Sequence, residues 1–216
     1  MVEVYGREIC EKSFREMERF VFHANQLGET PLLFGGWAVY HYNQYAGSRD
    51  VDFIVTDEHF EALVDFLVAN GYTNKEVRLF KDDIFFDLYK QSEDIGSEAN
   101  KLQFNLLYKD AERVYLKRYG STGGKGEVLI PKISNLLFFK IHALANRSVP
   151  KDRSDVTALI LKANDDDLKE LEQMLSPELK TRLETLRNDQ ATLTLITTPT
   201  RRNLNSLNKK IKEITS

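Results

Sequence analysis

Asp50 and Asp52 stand one residue apart at the head of an apolar run, with Val51 between them and Phe53, Ile54 and Val55 after them. On a strand, side chains at i and i+2 project from the same face. Two carboxylates held about 4 Å apart at an effective dielectric of ~20 repel by about 4 kcal/mol. A strand seldom carries that repulsion without a cation to offset it. Hard oxygen donors of this kind suit Mg2+ or Mn2+, with phosphate oxygens completing the ligand set. Just upstream, Leu32, Leu33 and Phe34 read as a short buried strand and Gly35-Gly36 as a turn. Trp37, Ala38, Val39, Tyr40 and Tyr42 then open a helix. Backbone N–H groups at a Gly-rich turn and a helix N-terminus meet anionic oxygens, and glycine lets the backbone come close. Taken singly, the glycine pair is an ordinary turn and Asp-x-Asp a solvated loop. Together they are the minimum equipment for phosphoryl or nucleotidyl transfer.

The ordered series of strand, Gly35-Gly36, helix and Ser48-Arg49-Asp50-Val51-Asp52 resembles the nucleotidyltransferase superfamily that includes DNA polymerase beta. More narrowly it resembles the minimal abortive-infection (AbiEii-like) nucleotidyltransferases, some of which act as toxins. The resemblance implies that Gly35 and Gly36 seat phosphates, that Ser48 belongs to the nucleotide-binding motif, and that Asp50 and Asp52 hold the metal. It also implies a third acidic residue on a later strand, for which two positions compete. Asp87 lies within Ile84-Phe85-Phe86-Asp87-Leu88-Tyr89, and Asn105 within a similar run from Leu102 to Leu107. A carboxylate inside an apolar strand is costly unless a cation offsets it, which favours Asp87. The plainer reading of Asp87 is a solvent-facing residue on a half-exposed strand.

Further along, Lys140, Ala143 and Arg147 share one helical face. The two cations lie ~10 Å apart along the axis, at ~1.5 Å per residue, a spacing that could grip a triphosphate. Lys140, Ala143, Arg147, Asp152 and Asp155 also match, in order and spacing, a Lys-x-x-Ala-x-x-x-Arg helix and following acidic turn of the abortive-infection family. The resemblance therefore places Lys140, Arg147 and Asp155 at the nucleotide. The alternative readings are a lysine at a surface edge and Asp152 as N-cap of a helix starting at Arg153.

Composition bounds the rest. The chain has 216 residues, 42% hydrophobic and 29% charged, enough for a real core and typical of a globular protein. No apolar run approaches the ~18 residues of a membrane span, and the N-terminal stretch lacks a signal-peptide pattern. A single Cys10 fits a reducing cytoplasm. The net charge of −3 gives no global basic footprint. Any nucleic-acid contact would fall to a local patch, the foremost being Arg201, Arg202, Lys209, Lys210 and Lys212. The four histidines lie on separate expected elements and form no zinc pattern. Ser121-Thr122-Gly123-Gly124-Lys125-Gly126 lacks a Walker ending and reads as a flexible hairpin turn.

Periodicity predicts helices over 7–27 and 37–45, a third capped by Thr56 or Asp57 and stopped by Asn70 and Gly71, and strands over 32–34, 50–56, 75–80, 84–90, 102–108 and 126–130. Beyond Pro131 it predicts helices capped by Ser134 and over 153–163, 166–175, 177–188 and 201–214, with a Thr-rich loop over 190–200. The expected fold is α/β (α+β), a nucleotidyltransferase fold with a mixed sheet over residues 1–130 and a helical region over 131–216. The expected activity is Mg2+- or Mn2+-dependent transfer of an NMP from an NTP to an acceptor hydroxyl. Asp50, Asp52, Asp87 and Lys140 would be the catalytic residues. The acceptor would be tRNA, protein or a small molecule, and an antitoxin is a possible partner. The alternative is a catalytically silent nucleotide- or partner-binding module of the same fold.

Overall fold

The computed structural model describes residues 5–75, 78–95, 102–146, 149–197 and 200–216. Arg147 and the link between the two expected halves of its motif therefore lie outside the described residues. The chain forms two compact units, one of residues 5–41 with 47–132, the other of residues 42–46 with 133–216.

The first unit is built on a mixed seven-stranded sheet. Its elements are α1 (Arg7–Gln26), β1 (Leu32–Phe34), the start of α2 (Gly35–Asn43), β2 (Asp50–Val55), α3 (Asp57–Ala69), β3 (Thr73–Lys75), β4 (Arg78–Lys81), β5 (Ile84–Lys90), β6 (Asp94–Ile95), β7 (Leu102–Gln103), α4 (Asn105–Tyr108), β8 (Glu112–Tyr115) and β9 (Glu127–Ile130). Strand order is β3-β4-β5-β2-β1-β9-β8, with β6 and β7 a separate pair. The central strand β2 runs antiparallel to β1 and parallel to β5. Alternation then fixes two faces. Val51, Phe53 and Phe86 turn to one face and are fully buried. There Phe20 of α1 packs on Phe53 and Phe86, with ring centroids 5.0 and 5.4 Å apart. This aromatic layer makes α1 the backing of the sheet. Asp50, Asp52 and Asp87 turn to the other face.

Three sequence expectations change here. The strand expected over 75–80 is two antiparallel strands, β3 and β4, paired Thr73 with Phe80 and Asn74 with Leu79. The strand expected over 102–108 stops at Gln103 and gives way to α4. Phe104 and Leu107, three apart, are both buried, so the apolar pattern is one helical turn rather than alternation. The turn at 35–36 is absorbed into α2, which starts at Gly35 with φ +72°.

The second unit contains α5 (Ile133–Asn146), α6 (Pro150–Lys162), α7 (Asp165–Met174), α8 (Pro177–Glu184), α9 (Gln190–Ile196) and α10 (Arg201–Thr215). Its core is aliphatic, with Leu137, Ile141, Val156, Leu159, Leu171, Leu183, Leu207 and Ile211 buried. Residues 190–196 of the Thr-rich segment are helical, because Asp189 caps α9 by accepting Thr192 N–H at 3.0 Å and Leu193 is buried. Ser134 lies inside α5 and donates to Glu170 instead of capping. Asp152 lies in the first turn of α6, which begins at Pro150, and is not its N-cap. Among the described residues no helix is long and apolar enough to cross a membrane.

Lys210, expected in a solvent-facing basic patch, is otherwise engaged. Its ammonium donates to the carbonyls of Ile160, Leu161 and Ala163 at 3.1, 3.3 and 2.6 Å, closing the C-terminal end of α6. A cation there satisfies orphan carbonyls and meets the negative end of the helix dipole. Lys210→Ala should lower the unfolding free energy by about 1–2 kcal/mol in urea titration, whereas Lys209→Ala, at an exposed neighbour, should change it by less than about 0.5 kcal/mol.

Candidate active site

The sheet register brings the acidic residues together. Asp52 is the partner of Phe34 on β1 and of Asp87 on β5, and Asp50 is the partner of Phe85. Neighbouring strands lie ~4.8 Å apart, so Asp52 and Asp87 stand side by side on one face. Asn105 does not share this place. It is exposed on α4, and the strands flanking β2 are β1 and β5.

Gly35 completes the arrangement. The chain leaves β1 and enters α2 directly beside Asp52, in a left-handed backbone conformation that L side chains rarely adopt. A Cβ at Gly35 would lie 1.9 Å from Asp52 Oδ2. The first N–H groups of α2, including that of the buried Gly36, open from this point. Ser48 is buried just before β2.

Two arginines that sequence reasoning passed over flank the carboxylates. Arg78 Nη2 donates to Asp87 Oδ2 at 2.6 Å, and Arg49 Nε to Asp50 Oδ1 at 3.2 Å. Both guanidinium groups lie over the Phe85 ring, at 5.6 and 4.8 Å from its centroid. Arg49 also faces Tyr5. Burial works against the charge of Arg78, but Asp87, and then Asp50 and Asp52, raise its pKa. Arg49 was legible as a residue inside the Ser-x-Asp-x-Asp segment. Arg78 became visible only once β4 was paired with β5.

The donors suit a hard divalent cation. They are carboxylate oxygens on one sheet face, and the missing Cβ of Gly35 lets the turn lie against Asp52 Oδ2. Among the described residues, no three His, Cys, Asp or Glu side chains form a metal cage by themselves. Mg2+ is held by one or two carboxylates plus substrate phosphates rather than by such a cage, so the set fits a cation that arrives with phosphate.

The second unit carries its own charged cluster. Lys140 Nζ donates to Asp155 Oδ2 at 2.7 Å, Lys151 Nζ reaches both Asp155 oxygens at 3.0 Å, and the Tyr45 hydroxyl donates to Oδ1. Asp155 is 1% exposed and Lys140 8%. Burial pushes the Asp155 carboxyl up, but Lys140 and Lys151 overcome it and hold the pKa at about 2. Lys151 and Tyr45 had no assigned role in the sequence reading.

Two other segments resolve as structural. The glycine-rich stretch after Tyr119 holds carboxylates of α1: Glu18 Oε1 accepts Gly124 and Lys125 N–H at 2.6 and 2.9 Å, and Glu11 accepts the Ser121 hydroxyl at 3.1 Å. The anion that such a loop can cradle is thus supplied by the protein. Buried Glu29 accepts Thr56 N–H and contacts His59 Nδ1, each at 3.1 Å, fixing the passage from β2 into α3.

The sequence matches no known family model and no curated protein. Among solved structures, the chain is similar to an antigenic nucleotidyltransferase-like protein from Paracoccidioides brasiliensis, with 17% identity over 92% of this chain and 93% of that one and a TM-score of 0.54. It is also matched to the antibiotic-resistance factor ANT(2'')-Ia, at 12% identity over 82% of this chain and 92% of that one in its solution structure. A crystal structure of the same factor with adenylyl-2''-tobramycin matches at 10% identity over 81% and 97%. The TM-score of both is 0.41. The fold is that of the nucleotidyltransferase-like proteins. It is a mixed α/β sheet with a helical C-terminal region.

Substitution separates the conformational and contact roles of Gly35. Gly28 also has positive φ but open space where a Cβ would go, so Gly28→Ala should cost about 1–2 kcal/mol of backbone strain alone. Gly35→Ala should cost clearly more by thermal or urea unfolding, and Asp52→Ala in the same chain should recover part of the difference. The Asp155 cluster sets an acid limb of stability. Its folded pKa of about 2 lies below the unfolded value. Its contribution, on the order of 2 kcal/mol, is therefore present above about pH 4 and lost as pH falls through about 2. Unfolding free energies measured from pH 5 to pH 2 should show this loss, and Asp155→Asn should flatten it.

Proposed function

We propose that the acidic face of the sheet is the active site of a metal-dependent nucleotidyltransferase. It would move an NMP from an NTP to an acceptor hydroxyl with release of pyrophosphate. The observation that carries this reading is the register that sets Asp52 between Phe34, next to Gly35, and Asp87. A phosphate-approach turn and paired carboxylates thereby meet at one point of the sheet. The acceptor oxygen bonds to the α-phosphorus, the bond to the bridging oxygen breaks, and the electron pair leaves with pyrophosphate. A Mg2+ or Mn2+ ion, held by Asp52 with Asp50 or Asp87 and by the phosphates themselves, would supply charge neutralisation there.

The chain's own groups divide the remaining work. Gly35 gives the phosphates room, and the N–H groups at Gly36 and the start of α2 supply donors to their oxygens. Asp87 takes the proton from the acceptor hydroxyl. Ser48 belongs to this motif by resemblance. Within the helical unit, Lys140 and Lys151 bring two positive charges to the single negative charge of Asp155. By resemblance, Lys140 would meet an anionic group such as a phosphate. Asp155 is then a positioning residue that holds both ammonium groups. The resemblance adds Arg147 to the same role and carries the narrower reading of an abortive-infection toxin with an antitoxin partner.

The Arg78–Asp87 ion pair favours a second reading, a silent module that binds nucleotide or a partner without transfer. Incubation with each α-labelled NTP, Mg2+, and separately total RNA, total protein or an aminoglycoside distinguishes the two. The transferase reading expects metal-dependent label in one fraction, reduced at least about 100-fold by Asp52→Asn. Nucleotide binding with no label in any fraction and no pyrophosphate release would leave the silent module.

A further inference from the structure

Asp87 is a carboxylate with 4% of its side chain exposed, and Arg78 meets its Oδ2 at 2.6 Å. A desolvated carboxylate cannot stand beside Asp52 without a cation. The Arg78 side chain is 44% exposed, so its head is reachable from solvent while it serves that buried oxygen. It rests over Phe85, the residue two before Asp87 on the same strand face. Arg49 makes the same use of Phe85 from the Asp50 side. Three aspartates thus face two arginines on this sheet surface, and every arginine contact to a carboxylate oxygen is one a divalent cation would also seek.

We propose that Arg78 is a resident counter-cation of Asp87, a positioning residue that competes with the divalent metal for Asp87 Oδ2 and holds the carboxylate in place until the metal arrives. The inference rests on the acidic face being a metal site. An ion pair between a half-exposed guanidinium and a buried carboxylate has to be given up when the metal takes Asp87 Oδ2. The metal affinity of the unmodified protein is lowered by that amount. A residue that merely supported the site would do the opposite, since its removal would weaken metal binding.

Mn2+ alone is the probe, with binding followed by the loss of the free-ion electron paramagnetic resonance signal on the full chain. Arg78→Gln should tighten Mn2+ binding by about 3- to 10-fold, the range of a charge-assisted pair of this exposure. In an Asp87→Asn background the same substitution should tighten binding clearly less, the remainder being the Arg78 charge acting on Asp50 and Asp52. Arg78→Lys, which keeps a cation but loses the planar fork, should give a smaller tightening and keeps the test available if the glutamine variant does not fold. Unchanged or weaker Mn2+ binding in folded Arg78 variants, with the unsubstituted chain binding normally, would overturn the competition and leave the metal site standing. Absence of binding in every form would remove the metal site itself, and this inference with it.

Discussion

Placing Asp52 and Asp87 side by side on adjacent parallel strands is the constraint on which the rest of the sheet face depends. The apolar residues between them in sequence are needed for the core on the opposite face, where Phe53 and Phe86 pack against Phe20. Alternation then obliges their neighbours to emerge together. Like charges so close must be offset, and the structure offers two kinds of offset. Arginines over Phe85 are built in, and a turn without a Cβ lets the start of α2 lie against Asp52 Oδ2. The first stabilises the folded chain in the absence of ligand. The second admits only glycine, because the positive φ of Gly35 is a strained choice for any other residue.

Much of this was legible in the sequence, because periodicity and glycine placement are local. The apolar run behind Asp50 and Asp52 announces a strand, and Gly35-Gly36 between an apolar tripeptide and a helical pattern announces a strand-to-helix turn. Asp87 could be preferred over Asn105 on the energetic argument that an acid in an apolar strand needs a partner. What stayed hidden depends on pairing. Arg78 finds Asp87 because β4 folds back on β5, and nothing in the segment 75–80 marks it as the edge of two strands. The reading of 102–108 failed because Leu102, Phe104 and Leu106 alternate while Phe104 and Leu107 lie three apart, so this short run carries both periods. The Thr-rich 190–196 failed because composition outweighed the cap at Asp189, whose partner Arg153 lies far away in sequence.

The helical unit solves a different electrostatic problem. Asp155 is buried among aliphatic helices, and its charge survives because Lys140, Lys151 and Tyr45 converge on it. Residues 42–46 cluster with this unit rather than with the sheet that surrounds them in sequence, and Tyr45 together with Asn43, which donates to the Ala158 carbonyl at 2.8 Å, shows why. Composition marked the change of character after Pro131 but could not mark this short excursion. The basic tail likewise lost its most buried member to a structural task, since Lys210 closes the end of α6.

The central claim is that the carboxylates of β2 and β5 hold a divalent metal together with a nucleoside triphosphate. Its most direct test is a crystal structure with Mn2+ and a non-hydrolysable NTP, with manganese located by its anomalous signal. The account predicts a peak at about 2.1–2.2 Å from an oxygen of Asp52 and one of Asp50 or Asp87, with phosphate oxygens in the same coordination sphere beside Gly35 and Gly36. A nucleotide bound elsewhere, or no manganese on this face while the arginine pairs of Asp50 and Asp87 stay intact, would contradict it.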